Sequence, residues 1–296
     1  VTKTDITARL CGSAASIGAA AWNACANPEN IASPHPFTRY EFFEAVEESD
    51  SANARQGWQP CHLVIERDGR IDGLMPLYLK NHSQGEYVFD HGWAQALERA
   101  GGDYYPKLQA CVPFTPVTGK RMLVARDTPE HEMREALLAA GATAVKQLKA
   151  SSLHITFPTE EEWREAGAQN YLQRTDQQFH WHNRGYKNFD EFLAELSSAK
   201  RKNLRKERAS VREAGIEFDW LTGNDITEAH WDTFFAFYMD TGGRKWGHPY
   251  LTRDFFSRVG QSMADQILLV FARRGKRHIA GALNFFGENV LFGRNW

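Results

Sequence analysis

The chain is poor in cysteine, has no long apolar run and carries no surplus of one charge. Its four cysteines, Cys11, Cys25, Cys61 and Cys111, are scattered through 296 residues without a C-x-x-C pair. That spacing excludes zinc-ribbon and dithiol redox motifs, and the expectation is four buried thiols in a reducing cytoplasm. No apolar stretch approaches the ~20 residues of a membrane helix. The small-residue stretch Gly12 to Ala21 follows no basic, apolar leader, so no signal peptide is expected. Lys and Arg number 35 against 37 Asp and Glu, a formal net charge of −2, which excludes a globally basic nucleic-acid coat and leaves only local patches.

What is present describes a globular chain: 42% hydrophobic, 12% aromatic and 24% charged residues. Its length predicts about two domains. Strand alternation falls at Leu63–Glu66 and Ile71–Leu79 around the turn Arg67-Asp68-Gly69-Arg70, at Lys107–Phe114, Ser152–Phe157, Gln177–His182, Ile216–Leu221, Ile267–Ala272 and Ile279–Phe286. Helices are expected after Thr38 (with Glu41, a capping box), from Thr128-Pro129 to the residues before Gly141, after Thr159, Asn188 and Asp225, and from Ser198 and Thr252. A composition shift near residues 184–188 divides the chain into a first unit, 1–185, and a second, 186–296.

An internal echo supports that division. His35-Pro36-Phe37-Thr38-Arg39-Tyr40-Glu41-Phe42-Phe43 recurs as His248-Pro249-Tyr250-Leu251-Thr252-Arg253-Asp254-Phe255-Phe256. Each copy is followed by a similar hairpin, Leu63-Val64-Ile65 with Gly69 and Gly73, then Leu269-Val270-Phe271 with Gly275 and Gly281. The reading is a duplicated α/β unit whose two sheets are buried separately and meet along a ligand-binding cleft.

Three segments carry chemistry. The helix from Lys200 to Arg212 has seven Lys or Arg against Glu207 and Glu213. It reads either as a solvated face or, through Lys200, Arg201 and Arg205, as an anion site for CoA phosphates, tRNA or a phospholipid-linked precursor. His180 and His182 alternate along an expected strand and so share one face, with Trp181 turned into a core. They suit proton transfer, and with no third ligand at metal spacing no metal is expected. Tyr238 ends an aromatic helix beside the loop Arg244-Lys245-Trp246, which suits either helix capping or an acidic or sugar-bearing ligand.

The runs Tyr104-Tyr105-Pro106-Lys107-Leu108-Gln109, Pro113-Phe114-Thr115-Pro116-Val117-Thr118-Gly119, Ser151-Ser152-Leu153-His154, Gln178-Phe179-His180-Trp181-His182-Asn183 and Lys200–Arg208 resemble those of the FemAB-like proteins of peptidoglycan biosynthesis or recognition, in the GNAT acyltransferase superfamily. Gly293-Arg294-Asn295-Trp296 matches the start of a further motif of that family. The resemblance covers almost the whole chain. It implies an α/β (α+β) fold of two tandem GNAT-like domains, each a mixed sheet flanked by helices, the second incomplete at its C-terminus.

It further implies an acyl or aminoacyl transferase delivering an activated acyl group to an amine on a small molecule or peptide, with acyl-CoA (acetyl-CoA) or aminoacyl-tRNA as donor. His180, His182 and Tyr238 are the expected acid–base groups. Tyr104, Tyr105, Lys107, Phe114, Thr115, Gly119, Arg121, Arg244, Lys245, Trp246, Asn284 and Arg294 are expected to bind substrate. In GNAT enzymes the position of Thr115–Arg121 holds the loop that cradles a pyrophosphate. Here Pro113 and Pro116 remove donors and only Gly119 is permissive, which favours a rigid turn shaping a cleft wall. Two alternatives stand beside the transferase: a non-catalytic module recognising a cell-wall peptide or amino sugar, and an enzyme acylating a small amine unrelated to the wall.

Overall fold

The computed structural model describes residues 6–244 and 248–295. The first part of the chain forms strand β1 (Ile6–Cys11), helices α1 (Ala19–Ala26) and α2 (Tyr40–Glu48), strands β2 (Trp58–Pro60), β3 (His62–Arg67), β4 (Arg70–Met75) and β5 (Leu77–Lys80), helix α3 (His91–Arg99), strands β6 (Lys107–Ala110) and β7 (Leu123–Val124), helix α4 (Glu130–Gln147), strand β8 (Leu153–Ile155) and helix α5 (Glu160–Ala168). The second part follows as α6 (Phe189–Ala194), α7 (Ser198–Glu213), β9 (Ile216–Thr222), α8 (Glu228–Arg244), α9 (Arg253–Ser262), β10 (Ile267–Arg274), β11 (Arg277–Phe286) and β12 (Leu291–Asn295). No described helix is long and apolar enough to cross a membrane.

The architecture is mixed α/β with three four-stranded sheets, ordered β1-β3-β4-β7, β2-β5-β6-β8 and β9-β10-β11-β12. The first two part where β2 gives way to β3 at Cys61 and β4 to β5 at Pro76, whose missing N–H interrupts the ladder. A buried polar pin fixes that parting. His62 Nδ1 accepts the Leu77 N–H at 3.2 Å, which leaves Nε2–H to donate to Glu47 Oε1 at 2.8 Å. The Tyr78 hydroxyl donates to the same oxygen at 2.7 Å and Ala14 N–H to Glu47 Oε2 at 2.8 Å. Helix α2 is thereby tied to the sheet with both carboxylate oxygens of Glu47 satisfied.

Elements β1-α1-α2-β3-β4 and β9-α8-α9-β10-β11 succeed one another in the same order, and both sheets pair them antiparallel in the same sequence of strands. The two sheets are not buried separately, which corrects the expectation. Phe37 and Phe42 from the first half and Phe255 and Phe285 from the second lie in one continuous core. Phe42 meets Phe255 at 5.8 Å and Phe285 at 6.2 Å, both edge-on, the geometry ring quadrupoles favour. A second core, Leu63, Ile65, Met75 and Val124 beneath Met133, Leu137 and Leu138 of α4, belongs to the first half alone.

Several local expectations give way to tertiary contacts. Thr38 does not cap α2. It closes a short 3-10 turn begun by Pro36 and donates its hydroxyl to His35 O, while Asn23 Oδ1 takes the Tyr40 N–H. Helix α4 runs through Gly141, where a side chain would meet Leu153. Asp225 lies in a 3-10 turn ahead of α8, and that helix continues through Gly242 and Gly243 to Arg244 rather than being capped by them. The strand expected at Gln177–His182 is absent: the segment has no partner strand and is exposed throughout. Trp181 is 63% exposed, not in a core, and instead touches the rings of Tyr186 and Phe192.

Candidate functional site

Chemistry converges at the seam where the loop after β6 meets the second half. Lys107–Phe114 is a strand only as far as Ala110. Beyond it the chain leaves the sheet, and Phe114 takes φ +56°, a left-handed value costly for a bulky side chain. Packing holds it there. Its ring stacks on Tyr250 at 4.9 Å with 7° between planes and leans on Trp58 at 4.8 Å. Gly85, at φ +79°, admits this ring where a Cβ would sit 2.6 Å from it.

Arg294 reaches the same loop from β12. Its Nη2 donates to Phe114 O at 3.3 Å and Thr115 Oγ1 at 3.2 Å, and Nη1 donates to Asn295 Oδ1 at 2.6 Å. Its Nε is buried with no partner. Desolvation pulls the guanidinium below its ordinary pKa. On α8, the Tyr238 oxygen accepts the N–H groups of Tyr250 at 2.9 Å and Leu251 at 3.0 Å. Burial pushes that phenol up, so it is protonated at neutral pH. Tyr87, half-exposed at φ +58°, stands at the edge of this group.

The seam thus assembles four expected residues, Phe114, Thr115, Tyr238 and Arg294. It adds Gly85, Tyr87 and Tyr250, which the sequence reading passed over. A signal for Tyr250 lay in the repeat, where it replaces the wholly apolar Phe37 with a ring bearing a hydroxyl.

The other expected residues lie elsewhere. Lys107 is fully buried, donating to Ser83 Oγ at 2.8 Å, Glu86 Oε2 at 2.8 Å and Asp90 Oδ2 at 2.5 Å. All three of its donors are spent bracing the 81–106 segment, which carries α3. Burial opposes ionisation of Asp90, yet hydrogen bonds from Lys107, Ser83 and Tyr104 hold its pKa down to about 2. Tyr104 donates to Asp90 at 2.8 Å, and Tyr105 pairs with Ser83 at 2.7 Å. Nearby Lys80 lies over the Trp58 ring at 3.4 Å, and burial pulls its pKa down to about 7.

Arg121 is buried and gives its guanidinium to the carbonyls of Val117, Gly119, Lys120 and Thr156. Glu162 takes the N–H groups of Arg121 and Met122 at 2.7–3.0 Å, and the Gly119 N–H goes to Phe157 O at 3.1 Å. The 115–121 loop is therefore a rigid wall whose named donors are occupied. It is an excursion between β6 and β7, and α4 begins only at Glu130. His35 rests against it, Nε2 toward Thr118 O at 3.3 Å. Burial, helped by the Arg121 charge, pushes the His35 pKa down to about 4.

Three groups sit outside the seam. His180 and His182 are exposed, ring centroids 6.4 Å apart, on a segment anchored to the wall by Gln178 Nε2 donating to Pro116 O at 2.9 Å. Helix α7 buries no residue. Arg201, Arg205, Arg208 and Arg212 fall at i, i+4, i+7 and i+11, one helical stripe, with Arg208 over the Phe189 ring at 4.0 Å and Arg205 3.7 Å from Asp190. Lys200 stands exposed at the start of that helix. Asn284 donates to Leu268 O on the sheet, Arg244 is paired with Asp240, and Lys245 and Trp246 lie outside the described residues. Among the described residues no group of three or more His, Cys, Asp or Glu is arranged to hold a metal ion. A groove of about 1000 Å³ along α1 and the β3–β4 turn includes none of the seam residues. Of the arginines along it, Arg9, Arg39 and Arg70 are already paired with Glu66, Glu41 and Asp72.

A family model for FemAB-like proteins, described as peptidoglycan biosynthesis/recognition, matches residues 13–296. No curated protein matches the chain. Among solved structures, the crystal structure of FemX is similar at 14% identity and a TM-score of 0.42, over 82% of this chain and 54% of that one. The chain thus spans about half the length of that protein.

Proposed function

The chain belongs to the FemAB-like family, described as one of peptidoglycan biosynthesis or recognition, and from that premise we propose that it is an acyl or aminoacyl transferase whose acceptor is an amine on a peptidoglycan precursor, held at the seam. In this reading the matching order β1-α1-α2-β3-β4 and β9-α8-α9-β10-β11 reflects duplication of one GNAT-like unit, with the units meeting near residue 185. The observation that carries the proposal is the meeting of Phe114 and Thr115 from the first unit with Tyr238, Tyr250 and Arg294 from the second.

The chemistry asks little of individual side chains. A neutral amine attacks the activated carbonyl, hydrogen-bond donors meet the oxyanion and a base removes the ammonium proton; the tetrahedral adduct then collapses to the amide as the CoA sulfur or the tRNA 3′-oxygen leaves and takes up a proton. Tyr238, protonated, enters as a donor. His180 and His182 take the base's role, on the segment tethered beside the wall. The arginine stripe of α7, with Lys200, supports a phosphate-bearing donor, acyl-CoA or aminoacyl-tRNA. Salt separates the two: tRNA binding falls steeply with ionic strength in proportion to the phosphates contacted.

The test is mass spectrometry of muropeptides incubated with the protein and either acetyl-CoA or aminoacyl-tRNA. An acyl or aminoacyl mass increment on the muropeptide amine is the expected result. Saturable muropeptide binding without an increment from either donor would favour the binding-module reading, for which the occupied donors of the 115–121 loop speak.

A further inference from the structure

Arg294 is a mostly buried cation to which none of the described residues offers a carboxylate. Its named acceptors are neutral: two loop oxygens at 3.2–3.3 Å and the side-chain oxygen of its chain neighbour Asn295. Its Nε has none. A guanidinium has five donors in a planar fork, and burying it without an anion is costly. Tyr238 presents the matching feature. A phenol oxygen accepts two hydrogen bonds and donates one. Both acceptances are used by the Tyr250 and Leu251 N–H groups, and no described group accepts its proton.

The two groups belong to one cluster. Arg294 holds the Phe114 carbonyl, the Phe114 ring stacks on Tyr250, and the Tyr250 N–H is bound to Tyr238. We propose that the seam binds a carboxylate, clasped by the Arg294 guanidinium and the Tyr238 hydroxyl, with the rest of the ligand lying along the Phe114–Tyr250 stack. One positive charge and one neutral donor suit a monoanion with two coplanar oxygens. A phosphate monoester dianion would ask for more. The aromatic edges of Tyr87 and Tyr250 fit a short peptide ending in that carboxylate. The inference rests on the transferase reading only for calling this ligand the acceptor; the binding itself does not depend on it.

The experiment is titration of the protein with dialanine, its C-terminal amide and inorganic phosphate, by calorimetry without any acyl donor. Dialanine is expected to bind in about the millimolar range, with the amide and phosphate at least tenfold weaker. Arg294→Gln abolishes the discrimination between acid and amide, and Tyr238→Phe weakens dialanine about tenfold. Should Arg294→Gln fail to fold by circular dichroism, Arg294→Lys carries the test, keeping the charge and losing the fork, with weakening of severalfold or more. Absence of dialanine binding, equal binding of the amide, tighter binding of phosphate, or an unchanged affinity in folded variants would each overturn the proposal. Because no donor is present, failure of acyl transfer elsewhere leaves this result standing, and failure here leaves the transfer assay to speak for itself.

Discussion

The seam and the stretch from Gln177 to Arg212 are opposites. The stretch concentrates conspicuous chemistry, two histidines and nine lysines or arginines, with almost nothing buried: Phe179 is 89% exposed and α7 contributes no buried residue. The seam draws Phe114, Tyr238, Tyr250 and Arg294 from separate segments and surrounds them with packed rings. Density of functional side chains along a sequence measures solvation as readily as a site. Convergence of unspent donors measures preorganisation, and only folding supplies it.

A like contrast divides the two sheets that share the aromatic core. The first has both faces covered, by α1 and α2 on one side and α4 on the other. The second is covered by α8 and α9 on its inner face, while Trp220 and Phe218 stand 66% and 52% exposed on the outer one.

These contrasts can be broken experimentally, starting where the effect is greatest. Phe285→Ala opens a cavity in the core that joins the halves and is expected to cost about 3–5 kcal/mol of stability in denaturant unfolding. A cost confined to the second half, with the first retaining its transition, would show that the cores are separate after all. Lys107→Met strands the buried carboxylates of Glu86 and Asp90 and is expected to cost about 3 kcal/mol. An unchanged melting temperature would remove that lysine as the brace of the loop behind the seam.

Replacing both His180 and His182 by Ala is expected to lower kcat about a hundredfold, with stability shifted by less than about 0.5 kcal/mol and dialanine affinity intact. Loss of affinity would place the histidines in the seam rather than beside it. Burial pushes His35 and His154 down to about 4, the Arg121 and Lys107 charges adding to it. Between that value and the ordinary 6.5 the unfolded chain binds more protons. Stability should therefore rise with pH across this window, and His35→Gln should flatten the slope in melting curves taken from pH 4 to 7. Smallest of all, Trp220→Ala on the bare sheet face should change stability by no more than about 0.5 kcal/mol. A core-sized loss would mean that this face is covered in solution.

Much of the frame was legible because its signals are local. Asp68-Gly69 closes the first hairpin at φ +50° and +81°, Thr159 and Glu162 form a capping box, Asn188 and Thr252 cap their helices, and α7 starts at Ser198. Two failures share one cause. Gln177–His182 alternates like a strand, but a strand needs a partner and a face to bury, and neither is encoded in the alternation itself. Lys107 and Arg121 have the composition of ligand-binding groups, yet their donors are consumed by carboxylates and carbonyls from distant positions. The echo of His35–Phe43 in His248–Phe256 carried the deepest information. It contained Tyr250, although nothing in the echo itself told that this ring would stand at the seam or that the two segments would pool their phenylalanines.

Hydrogen exchange of the intact protein with and without muropeptide tests the central claim most directly. Protection is expected in residues 83–88, 112–118, 236–244, 248–252 and 291–295, the segments that bring Tyr87, Phe114, Tyr238, Tyr250 and Arg294 together. Protection limited to residues 177–212, with those segments unchanged, would contradict it.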